Sequence, residues 1–398
     1  MFLGRYAASR SAFWLDSSLV VDGYSRFSFL GDTAGPLSEV LSYRLADGAV
    51  KVTATERTSW EHGSIFDVLE RRLAARQVEG AGELPFDLAG GYVGYFGYEL
   101  KADCGASNRH QAQTPDAVWM LADRLIVIDH AEDSTYLVAL STADAESVRQ
   151  ARTWLAETAA VLAILPPAEP PAPGAGWSCG DVAGRLARPE GDYLTDVTEC
   201  QRQLRAGESY EICLTNQVQL PAGPDLLTDY RRLRRIIPAP YAAYLRCGEL
   251  AVACSSPERF LRIDRSRVVE SKPIKGTAPR SADLVEDEQR RVSLQRCAKT
   301  RAENLMIVDL LRNDLGRVSE TGSICVPGYL ETETYATVHQ LVSTIRGTLR
   351  HEVSAIGCAR ACFPGWSSRI ESQRVRHESP TRWWASRMRN GRPARARW

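Results

Sequence analysis

The sequence lacks an excess of charge of either sign and lacks any long hydrophobic run. Its 49 basic and 49 acidic side chains give a formal net charge of +0, so no overall field draws the chain towards nucleic acid or a membrane surface. A basic cluster at residues 231–235 has no aromatic interleaving and is interpreted as a solvated helix face. No apolar stretch is long enough to span a bilayer, and the first residues lack a secretory pattern. These absences predict a cytoplasmic globular protein that binds neither nucleic acid nor membrane.

Histidine is scarce, and the cysteines lack metal-ligand spacing. The chain has 10 cysteines and 6 histidines, but it contains no Cys-x-x-Cys pair. The common structural zinc sites use such pairs together with nearby histidines. We therefore predict no zinc site and interpret the cysteines as reduced, mostly buried thiols.

The pattern of apolar residues predicts a body of two regions joined by a proline-rich segment. Residues 1–164 form an N-terminal region that ends in a helix predicted over 143–165. Residues 165–176 are rich in proline, which is typical of a linker or surface loop. Residues 177–365 form the second region and begin with a helix over 189–206, which Gly207 ends. The predicted strands are 118–121, 124–129, 135–140, 211–219, 241–246 and 250–254.

Residues 366–398 differ in composition from the rest of the chain. These 33 residues contain nine arginines and four of the nine tryptophans, with no leucine, no lysine and no regular period. Such a bias is typical of out-of-frame reading of a GC-rich gene, and a natural arginine-rich tail is the alternative. We interpret the segment as an aberrant, frameshifted tail outside the catalytic region.

The segment 273–277 (Pro-Ile-Lys-Gly-Thr) places Lys275 on a stiff backbone. Pro273 fixes one dihedral angle, and Gly276 lets the backbone approach a ligand closely. A lysine can act as a nucleophile once burial or a neighbouring charge favours its neutral form. Alone, the segment is more typical of a surface lysine in a turn, but its neighbours favour a nucleophile.

Glu258 belongs to the segment 255–260 (Ser-Ser-Pro-Glu-Arg-Phe), which precedes the lysine segment. It follows a predicted strand and a proline, so its carboxylate is positioned for acid–base chemistry. A structural pair between Glu258 and Arg259 is the alternative.

Glu303 is predicted to open a helix whose body, residues 305–311, is apolar nearly all round and should be buried. A carboxylate at the open end could bind a hard cation such as Mg²⁺, although helix capping alone is the simpler explanation. Asp309, inside the helix, is predicted to be structural and paired with Arg312 or Asn313.

His339 lies in an apolar segment, 335–343, where a lone histidine is most often a satisfied core residue. It is the only histidine between residues 170 and 345. This makes it a candidate for acid–base catalysis.

These segments occur in the order found in the chorismate-binding enzymes, and the chain resembles their aminodeoxychorismate synthase component I branch. The likeness spans residues 12–365 and includes 207–214, 256–260, 273–277, 301–317 and the segment around His339. The resemblance implies an α+β chorismate-utilising fold, in which large mixed or antiparallel β-sheets pack in an α/β sandwich with helices outside.

The resemblance also implies a reaction and roles for individual residues. Lys275 would add to C2 of chorismate as the 4-hydroxyl leaves, and ammonia would then displace it to give 4-amino-4-deoxychorismate for p-aminobenzoate and folate synthesis. Glu258 would supply acid–base chemistry, and Glu303 would bind Mg²⁺. Ammonia would come from a glutamine amidotransferase partner. The family pattern further suggests three substrate-binding residues, Glu270, Gly276 and Thr277.

Three more segments resemble those that line a tryptophan pocket in relatives. The residues implied for this pocket are Ser17, Tyr24, Ser25, Arg26, Phe27, Pro240, Tyr241 and Ala242. The segment 90–97 resembles the glycine–aromatic segment of the family and lacks the context of a dinucleotide fingerprint.

Two positions separate the related branches. Anthranilate synthases carry alanine at the position of Lys275, and isochorismate and salicylate synthases carry lysine at the position of Glu211. The combination here favours the aminodeoxychorismate branch. The alternatives are anthranilate synthase component I and a catalytically impaired chorismate-binding subunit. The impaired subunit is an alternative because residues 366–398 lack the family's ending, including a second metal-binding glutamate. We therefore expect the chain as written to be poorly stable and weakly active.

Overall fold

Three antiparallel β-sheets with helices packed against them form the fold in the computed structural model. It describes residues 1–17, 19–20, 25–55, 57–108, 111–174, 178–209, 212–221, 225–335 and 337–365. The predicted tail and two residues named above, Tyr24 and Glu211, lie outside this described part. The predicted α+β class, with large antiparallel sheets and external helices, is confirmed.

The described part contains sixteen strands and nine α-helices. The strands are β1 (Ser11–Asp16), β2 (Phe27–Asp32), β3 (Glu39–Arg44), β4 (Ala49–Ala54), β5 (Thr58–His62), β6 (Gly91–Phe96), β7 (Ala117–Ala122), β8 (Arg124–Asp129), β9 (Ser134–Ala139), β10 (Tyr241–Cys247), β11 (Leu250–Ser256), β12 (Arg259–Ile263), β13 (Val268–Lys272), β14 (Ile274–Pro279), β15 (Cys325–Thr334) and β16 (Val338–Thr348). The helices are α1 (Phe2–Tyr6), α2 (Ile65–Ala74), α3 (Ala145–Ala163), α4 (Cys179–Ala183), α5 (Glu190–Arg205), α6 (Leu226–Ile236), α7 (Leu284–Arg296), α8 (Ala298–Gly316) and α9 (Ala355–Cys362).

The first sheet joins the two regions that the proline-rich segment separates in sequence. Its strand order is β11-β10-β1-β2-β8-β9, and β1 pairs antiparallel with β10 from Ser11–Cys247 to Asp16–Ala242. Phe13, Val127 and Leu245 of this sheet share a buried apolar cluster with Met120 of the second sheet, whose order is β5-β4-β3-β7-β6. Backbone pairing and apolar burial therefore hold the N-terminal region against the second one.

The third sheet is built around β16, which runs between β13 and β14 and also pairs with β15. Helix α8 covers one face of this sheet, where Ile307 and Leu311 pack with Val269 and Ile345. This packing fixes the helix that carries Glu303 against the strands that carry Lys275 and His339.

Helix α8 begins earlier than the sequence indicated, and this corrects two predictions. Because it starts at Ala298, Glu303 lies in its second turn instead of opening it. The apolar run 305–311 is not buried all round, since Leu305 is exposed and the Asp309 side chain is 81% exposed. The buried stripe recurs at the helical period instead, so Asp309 falls on the solvent face, where it pairs with Arg312 at 3.6 Å.

Residues 212–219, predicted as part of a strand over 211–219, form no strand in the described part of the chain. Only an isolated bridge between Leu186 and Val218 is present there. Alternation of apolar residues can predict an extended conformation, but a strand also requires a partner along its edge. The other predicted strands and the helices predicted over 143–165 and 189–206 are confirmed within a few residues.

The nine cysteines that the structure describes are free thiols, but the expectation that most are buried is wrong. Three are buried, three are intermediate and three, Cys213, Cys297 and Cys325, are exposed. The described residues 165–174 form no helix or strand, as predicted. Across the described ranges, no helix combines the length and hydropathy needed to cross a bilayer.

Candidate active site

Lys275 lies on a bulge in β14 beside the central strand of the third sheet. Ile274 pairs with Val342 and Thr277 pairs with Gln340, so β14 has one residue more than β16 over this interval. Gly276 adopts a left-handed conformation with φ of +92°, which glycine adopts without strain. A bulge bends the strand and changes the direction of nearby side chains, so this geometry presents the lysine out of the regular ladder.

Gly276 is also required by the approach of α8. A Cβ at this position would overlap the Cγ2 methyl of Thr300, one turn before Glu303 on the helix, and would meet Leu294 Cδ1 at 3.1 Å. The glycine of the predicted motif therefore lets helix α8 lie directly against the segment that carries Lys275.

Glu258 is brought to the lysine by the turn between β11 and β12. Its backbone N–H donates to Ser256 Oγ at 3.2 Å, and its Oε1 accepts a hydrogen bond from the backbone N–H of Ile274 at 2.8 Å. Burial raises the pKa of Glu258 to about 7, against the opposing effects of the Ile274 N–H and the charge of Lys275. Two of the three predicted catalytic residues, Lys275 and Glu258, are thus adjacent, and the carboxyl can hold or release a proton near neutral pH.

Glu303 lies on α8 with its side chain 38% exposed, and Lys299 Nζ is 3.8 Å from its Oε1. Because α8 packs on β14 and β16, Glu303 lies on the helix that borders the lysine bulge. In the described part of the chain, no group of three or more His, Cys, Asp or Glu side chains could hold a metal ion. Glu303 fits a role as one magnesium ligand, since Mg²⁺ commonly takes one or two carboxylates and completes its shell with water and substrate oxygens.

His339 is 2% exposed in β16. Its Nε2 lies 3.0 Å from Asp287 Oδ1, and its Nδ1 lies 2.8 Å from Thr334 Oγ1. The neighbouring residue Gln340 pairs with Thr277 of the lysine segment. The histidine therefore borders the candidate site, with a protein partner at each ring nitrogen.

Glu270, predicted from the family pattern to bind substrate, is buried in β13 between two arginines. Its carboxylate forms ion pairs with Arg259 and Arg346. Its oxygens are therefore engaged by the protein, and its role towards substrate stays a prediction.

The segments predicted for a tryptophan pocket meet at one end of the first sheet. Ser17 follows β1, Phe27 begins β2, and Tyr241 and Ala242 begin β10. Arg26 is held by two hydrogen bonds to Asp129, and Ser25 Oγ donates to the Leu19 carbonyl. Pro240 precedes Tyr241 at the same end, whereas Tyr24 lies outside the described residues. Tryptophan binding itself stays a prediction.

Sequence reasoning missed a cavity between this end of the first sheet and the third sheet. Its lining residues are Pro240, Tyr241, Pro257, Arg259, Lys272, Ile274, Glu333 and Tyr335. Lys272 is buried and forms an ion pair with Glu333, which also accepts a hydrogen bond from the Tyr335 hydroxyl at 2.8 Å. Lys272 is near the motif lysine in sequence, but no sequence signal connects it with Glu333, so only the fold could bring these charges together.

Comparison with known proteins gives the same family for most of the chain. The family described as chorismate binding enzyme matches residues 28–368. A protein named aminodeoxychorismate synthase from Streptomyces pristinaespiralis is 48% identical over 370 residues, covering 92% of this chain and 51% of the relative. Aminodeoxychorismate synthase component 1 from Salmonella typhimurium is 32% identical and is covered to 74% of its length.

The solved structure of anthranilate synthase component I from Streptococcus pneumoniae superimposes with a TM-score of 0.66 at 23% identity, covering 86% of this chain and 73% of that one. At this identity the similarity concerns the fold alone. The chain spans about half the length of the Streptomyces relative.

Proposed function

Because the chain belongs to the family of chorismate-binding enzymes, we propose that it aminates chorismate to 4-amino-4-deoxychorismate. The observation that carries the proposal is the juxtaposition of Lys275, on the β14 bulge, with the Glu258 carboxyl, whose pKa burial raises to about 7. A nucleophilic amine beside an acid that is partly protonated at neutral pH is what displacement of a poor leaving group requires. The names of the relatives support the same reaction.

In the proposed first step, the neutral amine of Lys275 forms a bond to C2 of chorismate. Both conjugated double bonds of the ring shift, the C4–O bond breaks, and Glu258 gives its proton to the departing hydroxyl, which leaves as water. In the second step ammonia forms a bond to C4, both double bonds shift back, and the bond between C2 and the lysine nitrogen breaks. Lysine leaves as the neutral amine, and the ammonium group formed at C4 returns one proton to Glu258. The net reaction consumes chorismate and ammonia and forms the amino product and water.

Magnesium belongs to the proposal as an ion held by Glu303 together with substrate and water oxygens. When bound, it would neutralise a carboxylate of the substrate. The exposure of Glu303 and its place on α8 beside the bulge support this assignment. Gly276 supports the assignment indirectly, since its lack of a side chain lets α8, which carries Glu303, lie against the lysine segment.

We also propose that ammonia reaches this site from a glutamine amidotransferase partner and that the product feeds p-aminobenzoate and folate synthesis. The component 1 names of the Salmonella typhimurium and Escherichia coli relatives support the existence of a second component. A cytoplasmic location is part of the proposal, since free thiols such as those described here persist in a reducing compartment.

The decisive test is product analysis with the purified chain, chorismate, ammonium and Mg²⁺, followed by chromatography with and without an added aminodeoxychorismate lyase. We expect a product that the lyase converts to p-aminobenzoate. Formation of anthranilate would overturn the proposal in favour of the anthranilate synthase alternative. Chorismate binding is measured in parallel by titration calorimetry. Binding without turnover would identify a catalytically impaired subunit, whereas absence of binding would show that the functional assignment is wrong.

A further inference from the structure

A chain of polar contacts that the proposed chemistry does not use surrounds His339. The ring is almost fully buried, with Nε2 at 3.0 Å from Asp287 Oδ1 and Nδ1 at 2.8 Å from Thr334 Oγ1. A neutral imidazole has one donor and one acceptor nitrogen, and the partner of each decides which is which. Both positions are satisfied here by protein atoms, so proton transfer to a substrate would first require breaking one of these contacts.

The carboxylate of Asp287 decides the tautomer. Arg280 Nε donates to both of its oxygens, at 2.9 and 3.0 Å, and the backbone N–H of Ser281 donates to Oδ1 at 2.8 Å. The Arg280 guanidinium holds the pKa of Asp287 well below its usual range. An ionised carboxylate can only accept, so the proton between the two side chains belongs to Nε2. Nδ1 then accepts from the Thr334 hydroxyl.

The charges that face the ring are balanced without a charged imidazole. Arg280 neutralises Asp287, and Glu288 on the same helix is paired with Arg291 through a hydrogen bond of 2.6 Å. From β14, the residue paired with His339 is the uncharged Ala278. From β15, the ring nitrogen meets the hydroxyl of Thr334. The charged groups that face the ring therefore already pair with one another, and a neutral ring leaves their charges balanced.

The same contacts join three elements at the edge of the candidate site. Asp287 lies in the first turn of α7, His339 lies in β16, and the Arg280 backbone N–H donates to the Thr337 carbonyl at 3.1 Å just after β14 ends. Thr277, next to the bulge glycine, pairs with Gln340, next to His339. The contacts therefore fix the end of the β14–β16 ladder close to Lys275.

We propose that Arg280 and Asp287 are positioning residues that hold His339 in the Nε2–H tautomer, and that His339 fixes the lysine bulge without moving a proton. The part of this inference that concerns catalysis depends on the proposed function, whereas the tautomer does not. It replaces the acid–base role expected for His339 from sequence with a structural role near the nucleophile.

Nuclear magnetic resonance of the full chain labelled with 15N-histidine tests the tautomer without any assay of activity. We expect one resonance pair with a proton bonded to Nε2. His339→Gln identifies the signal by its loss, and His130→Gln serves as the matched control because His130 makes its own contact with Ser28 Oγ at 2.7 Å. Asp287→Asn should produce a mixture of tautomers. An Nδ1–H form in the unaltered chain would overturn the inference.

The dependence of kcat/KM on pH tests the positioning role. His339→Gln and Asp287→Asn should each lower kcat by about tenfold or more through misplacement of the amine, while the apparent pKa values of the profile stay as in the unaltered chain. Loss of one limb of the profile in His339→Gln alone would instead identify a proton-transfer residue. If no variant or parent aminates chorismate, the proposed function fails while the resonance result still decides the tautomer.

Discussion

Gly276 and Thr300 lie so close that a single added methyl group at position 276 would overlap the threonine side chain. The glycine is also held at φ of +92°. Two physical reasons therefore require glycine here, and both act on the residue next to the proposed nucleophile.

We predict that Gly276→Ala destabilises the protein and strongly reduces amination. The left-handed backbone costs roughly 1–3 kcal/mol, and the overlap with Thr300 adds a comparable overpacking cost of about 1–3 kcal/mol. Urea unfolding measures the sum. Gly105→Ala is the matched control, since Gly105 has the same φ of +92° but a methyl group added there would meet no other atom within 4 Å. Equal losses in the two variants would show that the approach of α8 does not matter.

Glu258→Gln is predicted to stabilise the protein at pH 8 while slowing the reaction. Burial raises the carboxyl pKa from 4.5 to about 7, so the folded state binds a proton more tightly than the unfolded chain. The stability of the parent should therefore fall as the pH rises from about 4.5 to 7 and then level off, by roughly 3 kcal/mol at most. The glutamine variant lacks this fall.

Unfolding curves at pH 5 and pH 8 for both proteins measure the difference. The same substitution should remove the limb near pH 7 from the profile of kcat/KM. A parallel pH dependence of stability in parent and variant would contradict the assigned burial of the carboxyl.

The amino-acid pattern could single out segment 273–277 and predict most of the strands, because both depend on residues close together in the chain. Segment 273–277 combines proline, lysine and glycine within five residues, and its bulge depends on the left-handed backbone that Gly276 adopts. Partners that lie far apart in the chain could not be predicted in this way. Asp287 and His339 are separated by 52 positions, and Lys272 and Glu333 by 61. Their pairing depends on how β13, β15, β16 and α7 assemble.

Helix α8 shows a different limit. Its apolar run suggested burial on every side, because Leu305 and Met306 interrupt the polar face. The structure places Asp309 in solvent, since only the stripe that faces β16 is covered. The packed face sets the position of the helix, so residues on the opposite face are exposed to solvent whether they are polar or apolar.

Glu303→Gln should weaken Mg²⁺ binding and so raise the Mg²⁺ concentration that activity requires. Removing the one carboxylate proposed as a ligand should raise the Mg²⁺ concentration for half-maximal rate by at least about tenfold, whereas stability should change little because the side chain is partly exposed. Asp309→Asn on the same helix is the matched control, since its side chain is 81% exposed. Titration of Mg²⁺ by calorimetry in the presence of chorismate measures the affinity directly. Unchanged affinity in the glutamine variant would reduce Glu303 to a helix residue that pairs with Lys299.

Lys275→Ala should abolish amination and leave the fold intact. Lys272→Ala should lower the stability of the protein and leave amination by the folded protein in place. Lys275 is presented by the bulge and is partly exposed, so its truncation removes the amine without opening the core. Loss of a nucleophile typically costs on the order of a thousandfold or more in rate. Lys272 is buried against Glu333, and removal of one partner from a buried pair costs about 3–5 kcal/mol.

Thermal unfolding and product formation, measured on both variants, separate these roles. A small primary amine added to the Lys275→Ala protein should restore part of the rate, because it can occupy the space of the missing side chain and attack the same carbon. Full activity of Lys275→Ala without added amine would leave the lysine as an electrostatic neighbour of Glu258 and would remove the covalent step from the proposed reaction. If Lys275→Ala removes activity alone and Lys272→Ala lowers stability alone, the reaction depends on the lysine that the bulge presents and not on its neighbour three residues earlier.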